Sequence, residues 1–280
     1  MLTNAQAASL AQLVVYAFDQ FQADPDELEP KPDSRLAGNW HVLGYLTAMD
    51  CLFRRGRTVA LSETVCYGYL AQEIANPNVY VVAVRGTKGI LEWVEDAKFL
   101  PTPHPVAGLV ESGFYSIYSG MEYRPIGAAQ AQPAAQAIAA AIGQGELIVI
   151  GHSMGSALAT YLTFDLAALL GTRVQGYFFA SPRPGNAVFA KAFDERVATY
   201  TVYNYELDIV PQVPLGLGYT DLSRTTWIDT DTAQARIAFS LTGHHHLLSY
   251  MAMLFYALLD WHAVPLYDRD DASSIKGPSL

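Results

Sequence analysis

Apolar residues along this chain recur with two periods, and the switches between them mark out its elements. Over residues 4–21, Leu10, Leu13, Val14, Ala17 and Phe21 return at helical spacing, which predicts an opening helix with Asn4 as its N-cap. Residues 24–34 hold three prolines and five acidic side chains and read as a surface connector. Residues 40–49 and 58–71 are rich in aromatic and β-branched side chains and read as strands. Asn76-Pro77-Asn78 then turns the chain into residues 79–85, where near-continuous valine marks a central strand. All three are expected to run antiparallel into one sheet.

Within residues 88–98, Ile90, Leu91, Trp93, Val94 and Ala97 share one helical face against Glu92, Glu95 and Asp96. Such a short amphipathic helix is either an ordinary surface helix packed through Trp93 or a lid over a site. Spacing and alanine content predict helices over 112–123 and 128–142, the second with Pro133 near its first turn, where proline is tolerated. From residue 146 onward, strands at 147–150, 174–180 and 198–204 alternate with helices, as a parallel sheet with right-handed crossovers requires. Residues 225–228 and 236–239 are expected to form a hairpin, 245–260 a final helix and 266–280 a polar, flexible tail. With no repeats, residues 1–280 read as one α/β domain.

Composition narrows the function. Of 280 residues, 51% are hydrophobic and 16% charged, which fits one well-buried core and excludes a mainly disordered chain. A net charge of −10, with no basic cluster larger than Arg54-Arg55-Gly56-Arg57, argues against a nucleic-acid partner and leaves only apolar, local contact with lipid. Cys51 and Cys66 lack metal-site spacing and read as buried thiols. His244-His245-His246 is contiguous and does not converge on one ion, so neither a metal nor an organic cofactor is expected. The N-terminal apolar stretch contains Gln12, Asp19 and Gln20 and lacks a basic flank and a small-residue cleavage site. It is expected to be a helix rather than a signal peptide. The longest apolar run, 247–259, is too short to cross a bilayer. The expectation is a soluble chain, cytoplasmic or exported by a signal-independent route.

The chemistry concentrates in residues 146–171, ELIVIGHSMGSALATYLTFDLAALLG. A β-branched run meets Gly151-His152-Ser153-Met154-Gly155, and a helical pattern follows at once. Strand, sharp turn and helix is the context a serine nucleophile requires, because its hydroxyl must stand beside a base and near backbone N–H groups. In α/β hydrolases the acid and then the histidine follow the serine along the chain. Asp208 suits the acid, since it follows the strand at 198–204 and opens Asp208-Ile209-Val210-Pro211. Glu206 is the competitor, and Asp165 falls inside the helix after the turn. For the base, His244, His245, His246 and His262 are the candidates, with one of the triplet favoured because it sits at a loop-to-helix junction after the last strand.

With these residues in view the chain resembles the class 3 (fungal-type) lipases. The resemblance runs through Val84-Arg85-Gly86-Thr87 with Trp93 and Asp96, Gly113-Phe114, the serine motif, Ser181-Pro182-Arg183-Pro184-Gly185-Asn186, Asp208-Ile209-Val210-Pro211 with Pro214, and the histidine segment up to Tyr250. It implies an α/β hydrolase fold, a central mostly parallel sheet flanked by helices with a short helical lid at 88–98. It also implies Ser153 as nucleophile, Asp208 as orienting acid, and an oxyanion hole from the N–H groups of Thr87 and Met154, with the Thr87 hydroxyl assisting. The pattern His-x-Leu-x-x-Tyr selects His245, with Leu247 and Tyr250, as base; the fungal spacing would favour His246. The implied reaction is hydrolysis of an acylglycerol-type lipid or small ester, with transient lipid contact through the lid. A phospholipase A1 and a non-catalytic scaffold are the alternatives. Two departures stand out: Glu111 occupies the place of a family histidine, and Ser156 that of a second glycine.

Overall fold

The structure is a computed structural model describing residues 2–50, 63–87, 99–237, 240–258 and 275–276. Its strands are β1 (Trp40–Asp50), β2 (Glu63–Glu73), β3 (Val79–Val84), β4 (Pro101–Pro103), β5 (Leu109–Glu111), β6 (Glu122–Pro125), β7 (Gln132–Pro133), β8 (Glu146–His152), β9 (Val174–Phe179), β10 (Gly185–Asn186), β11 (Thr199–Tyr205), β12 (Tyr219–Thr220), β13 (Thr225–Ile228), β14 (Arg236–Ile237) and β15 (Ile275–Lys276). The α-helices are α1 (Asn4–Ala23), α2 (Ser112–Ser119), α3 (Ala134–Ile142), α4 (Met154–Leu170), α5 (Ala187–Arg196), α6 (Leu241–His245) and α7 (Leu247–Phe255).

Nine strands form the central sheet in the order β13-β11-β9-β8-β3-β2-β1-β6-β7. From β3 to β13 neighbouring strands run parallel, while β1, β2 and β6 pair antiparallel. This is the α/β sheet the pattern implied, with β3 and β8 at its middle. Side chains alternate between two cores. Val82, Val84, Leu147 and Val149 pack with α2 to α5, and Val81, Ala83 and Ile150 pack with α1 and α7. Helix α4 is apolar all round because it lies under the sheet with nearly every residue buried. With the turn to Arg173 it is long and apolar enough to cross a membrane, although most of it is buried in the domain.

A four-stranded sheet, β12-β10-β5-β4, forms separately. It ties down the chain emerging from residues 88–98: the Tyr219 hydroxyl donates to Phe99 O and Ser112 N donates to Leu100 O. The amphipathic segment 88–98 itself, with Trp93 and Asp96, lies outside the described residues.

Several boundaries differ from the sequence expectation. Thr3, not Asn4, caps α1, because the Thr3 hydroxyl and the Gln6 side chain satisfy each other's backbone N–H groups. The predicted helix at 112–123 stops at Ser119, and Tyr123 instead belongs to β6, where sheet pairing with Leu46 overrides helical spacing. The helix expected from 128 starts at Ala134, with Pro133 as its cap and the end of β7. The hairpin of 225–228 with 236–239 does not form: β13 extends the parallel sheet beside β11, and β14 pairs with β15. That pairing places Ile275 and Lys276 of the expected tail in a short sheet; the rest of 266–280 lies outside the described residues. The final helix breaks at His246, which ends α6 and caps α7. Cys66 is a buried free thiol, as read, and Cys51 is outside the described residues.

The β1–β2 register shifts where Leu46 faces Gly68 but Thr47 faces Cys66, so Tyr67 is an extra residue in β2. Gly68 permits this, since an added Cβ would overlap the Ala83 carbonyl of β3. Gly68→Ala is therefore expected to destabilise the fold by about 3 kcal/mol or more, read as the shift in urea-unfolding midpoint.

Candidate active site

The turn between β8 and α4 holds Ser153 at φ 59°, ψ −133°, a left-handed backbone that costs a non-glycine residue about 1–3 kcal/mol. Neighbouring contacts hold it there. Ser153 N donates to Phe179 O at the end of β9 (3.0 Å), and Ser156 N returns to Ser153 O (2.8 Å). Ser156 Oγ donates to Phe179 O (2.8 Å) and accepts from Phe179 N (3.1 Å), fastening the first turn of α4 to β9. The residue in the second-glycine position is thus a clamp, a role that the motif alone did not reveal. A Cβ on Gly151 would overlap the Gly155 carbonyl, and one on Gly155 would overlap the Arg85 carbonyl. Both glycines are there because three backbones meet.

Asp208, at the carboxyl end of β11, is buried and triply held. Its Oδ2 accepts from His245 Nδ1 (2.8 Å) and from the Tyr250 hydroxyl (2.8 Å), and its Oδ1 accepts from Val210 N (3.0 Å). Burial and the Asp208 charge hold the Tyr250 hydroxyl well above its ordinary pKa, so it remains a donor. Tyr250 accepts in turn from Tyr205 N (2.9 Å). A carboxylate at Nδ1 fixes the tautomer with Nδ1–H, leaving Nε2 as the acceptor. That Nε2 and Ser153 Oγ are both buried without a hydrogen-bond partner among the described residues.

Of the sequence candidates, the structure brings His245 to Asp208 and gives its neighbours other work. His246 Nδ1 accepts from Leu248 N as the cap of α7, and His244 Nδ1 lies 3.2 Å from Leu207 O. Glu206 is exposed and accepts from Thr230 N, and Asp165 accepts from the Tyr118 hydroxyl. His262 lies outside the described residues. Met154 is the first residue of α4, where helix N–H groups lack intrahelical acceptors and the helix dipole favours negative charge. Gly86, just before Thr87, comes so near the serine that an added Cβ would stand 3.0 Å from Ser153 Cβ. Glu111, in place of the family histidine, caps α2 by accepting from Phe114 N (2.7 Å), and burial raises its carboxyl pKa. Among the described residues no group of His, Cys, Asp and Glu has metal-binding geometry.

His152 was not singled out from the sequence. Its Nε2 faces the His245 carbonyl at 2.8 Å, and its ring lies 4.9 Å from the His245 ring, joining the serine turn to the histidine loop. Opposite a carbonyl, Nε2 must carry the proton.

The family described as Lipase (class 3) matches residues 81–217, which span β3, the serine turn and Asp208. Over those residues the chain is similar to the class 3 lipase family. A secreted mono- and diacylglycerol lipase A of Penicillium cyclopium is 34% identical over 164 residues, 58% of this chain and 51% of that protein. A rice phospholipase A1-II 5 (Oryza sativa subsp. japonica) is 29% identical over 235 residues, 69% of this chain and 50% of that protein. The chain thus spans about half the length of the curated relatives it matches. A Rhizomucor miehei lipase propeptide complex shares the fold, with a TM-score of 0.58 over 80% of this chain and 67% of that one at 18% identity.

Two predictions follow from these hydrogen bonds. Tyr250→Phe leaves Asp208 and Tyr205 N each short of a partner, and is expected to cost about 1–3 kcal/mol of stability by thermal or urea unfolding. The second concerns pH. Burial, then the neighbouring His245, hold His152 well below its ordinary value of 6.5, so it stays neutral when folded and protonates when unfolded. Its stabilisation is therefore full above about pH 6.5 and is lost as pH falls from there towards its folded pKa. Thermal unfolding is expected at a lower temperature at pH 5.5 than at pH 7.5, with a smaller drop in His152→Gln.

Proposed function

We propose that this chain hydrolyses carboxylic esters of acylglycerol-type lipids through an acyl-enzyme on Ser153. The observation that carries the reading is the buried Asp208–His245 pair, whose Nε2, like Ser153 Oγ, has no hydrogen-bond partner among the described residues, with the histidine loop joined to the serine turn through His152. In this reading His245 Nε2 takes the hydroxyl proton as Ser153 Oγ bonds to the ester carbonyl carbon. Asp208 fixes the imidazole and supports its positive charge. The carbonyl oxygen becomes an oxyanion received by the N–H groups of Thr87 and Met154. Collapse expels the alkoxide, which takes the proton from His245 and leaves as the alcohol. Water, deprotonated by the same nitrogen, then releases the carboxylic acid and restores Ser153.

A second reading has its own support: the match to the rice phospholipase A1 runs over 69% of this chain, against 58% for the Penicillium lipase. Product analysis separates them, since diacylglycerol plus acid marks the acylglycerol reading and lysophospholipid plus acid the other. The completeness of the Ser153, Asp208 and His245 set stands against a non-catalytic scaffold.

Ser153→Ala and His245→Ala are each expected to lower kcat on a p-nitrophenyl ester by about 10⁴-fold or more, and Asp208→Asn by about 10²–10⁴-fold, with folding retained by circular dichroism. His246→Ala should stay within about tenfold, since it removes a cap rather than the base. A fluorophosphonate should label Ser153, located by peptide mass mapping. An active Ser153→Ala protein would overturn the assignment.

A further inference from the structure

Arg85 is 3% exposed and lies directly before the Gly86-Thr87 pair. Its surroundings fix its guanidinium from several sides. Nε donates to Cys66 O (2.7 Å), Nη1 donates to Gly86 O (2.8 Å), and the backbone N–H donates to Tyr67 O (2.8 Å). The Phe21 ring at the end of α1 lies 3.4 Å from the guanidinium carbon, and the Tyr67 ring 4.8 Å from it. The Cys66 and Tyr67 carbonyls come from the point where β2 carries its extra residue, so the register break provides these acceptors.

The bond to Gly86 O bears on chemistry. That carbonyl belongs to the same peptide group as Thr87 N–H, and in a planar trans peptide C=O and N–H point in opposite directions. A guanidinium holding the oxygen therefore sets the direction of the Thr87 N–H. A charge-assisted bond to the oxygen also polarises the amide and makes its N–H a stronger donor. Gly86 stands against Ser153 Cβ, so this peptide lies beside the nucleophile.

We propose that Arg85 is a positioning residue for ester hydrolysis: stacked on Phe21, it aims and polarises the Thr87 N–H through the Gly86 carbonyl, and so acts on the oxyanion without touching it. This rests on the reading of Ser153 and Thr87 given above. Because an oxyanion exists only in the tetrahedral state, the effect belongs in kcat and not in KM.

The test is steady-state hydrolysis of p-nitrophenyl butyrate by the full chain and by Arg85→Lys, Arg85→Gln and Phe21→Leu. Rates are divided by the sites titrated with a slow fluorophosphonate taken to completion, so misfolded protein does not count. Arg85→Gln is expected to lower kcat per site by about 10–100-fold with KM within twofold, less than the roughly 10²–10³-fold that outright loss of an oxyanion donor costs, because the Thr87 N–H remains but is no longer aimed. Arg85→Lys, which keeps the charge but not the fork, should recover part of the loss, and Phe21→Leu should show a smaller fall of the same kind. The apparent pKa of the kcat profile should be unchanged in all three, because the Asp208–His245 pair is not involved. Should Arg85→Gln not fold, the lysine and Phe21 variants decide the matter by the same readouts. The proposal is overturned by kcat per site within threefold of wild type in the Arg85 variants that fold, by KM rising as far as kcat falls, or by a moved pH profile. Absence of Ser153-dependent hydrolysis in the wild-type protein would remove the underlying reading instead, and that is seen before any variant is made.

Discussion

Everything near the serine depends on how closely three backbone segments pass one another. The end of β3 runs against the first turn of α4, and the end of β8 against the same turn, with no room for a Cβ at Gly151 or Gly155. Any side chain there would push the helix off the sheet and let the Ser153 turn relax to an ordinary backbone. The same approach sets Gly86 against Ser153 Cβ, so the constraint that strains the serine also brings up the Thr87 peptide. Ser156 reinforces it by exchanging two hydrogen bonds with Phe179 across the gap. Close packing here is a geometric condition for the chemistry as much as a source of stability.

Around that contact the protein buries polar groups and satisfies them from different parts of the chain. The Asp208 carboxylate would be costly to bury alone, and His245, Tyr250 and Val210 N share it. Three of these residues, Asp208, His245 and Tyr250, come from a strand end and the two helices that follow it much later. His152 then couples the histidine loop to the serine turn through the His245 carbonyl. On the other side, Arg85 draws β2, β3 and α1 together under the Gly86 peptide. The site is therefore supported by several elements, α1 and α7 of one core among them, rather than by one loop.

Local patterning was read well where an element is long and its burial one-sided or complete. The valine run of β3, the strand–turn–helix at Ser153 and helix α5 all lie where periodicity placed them, because side-chain alternation and burial agree there. Asp208 and the His245–Tyr250 spacing were also legible. Boundaries failed where partners distant in sequence compete with local preference. Tyr123 left a helical pattern for the edge of β1, and β13 joined β11 in place of a hairpin. The final helix was read as unbroken because the apolar run continues, although His246 turns outward to cap it.

The sequence by itself determined the fold class and the strand–turn–helix at Ser153, and it put forward Asp208 and a few histidines as candidates. Each depends on residue types within a few positions of one another, or on their order along the chain. Only the tertiary structure decided which histidine meets Asp208, that Tyr250 is the acid's second donor, that Ser156 and His152 are clamps, and that Arg85 holds the Gly86 carbonyl. Most of those are hydrogen bonds of about 3 Å between groups tens of residues apart, and the Arg85 bond, although it reaches only the next residue, is framed by the Cys66 carbonyl of β2. Their geometry is set by where distant strands and helices meet, and for Arg85 by the register shift at Tyr67, and neither leaves a periodic signal in the sequence.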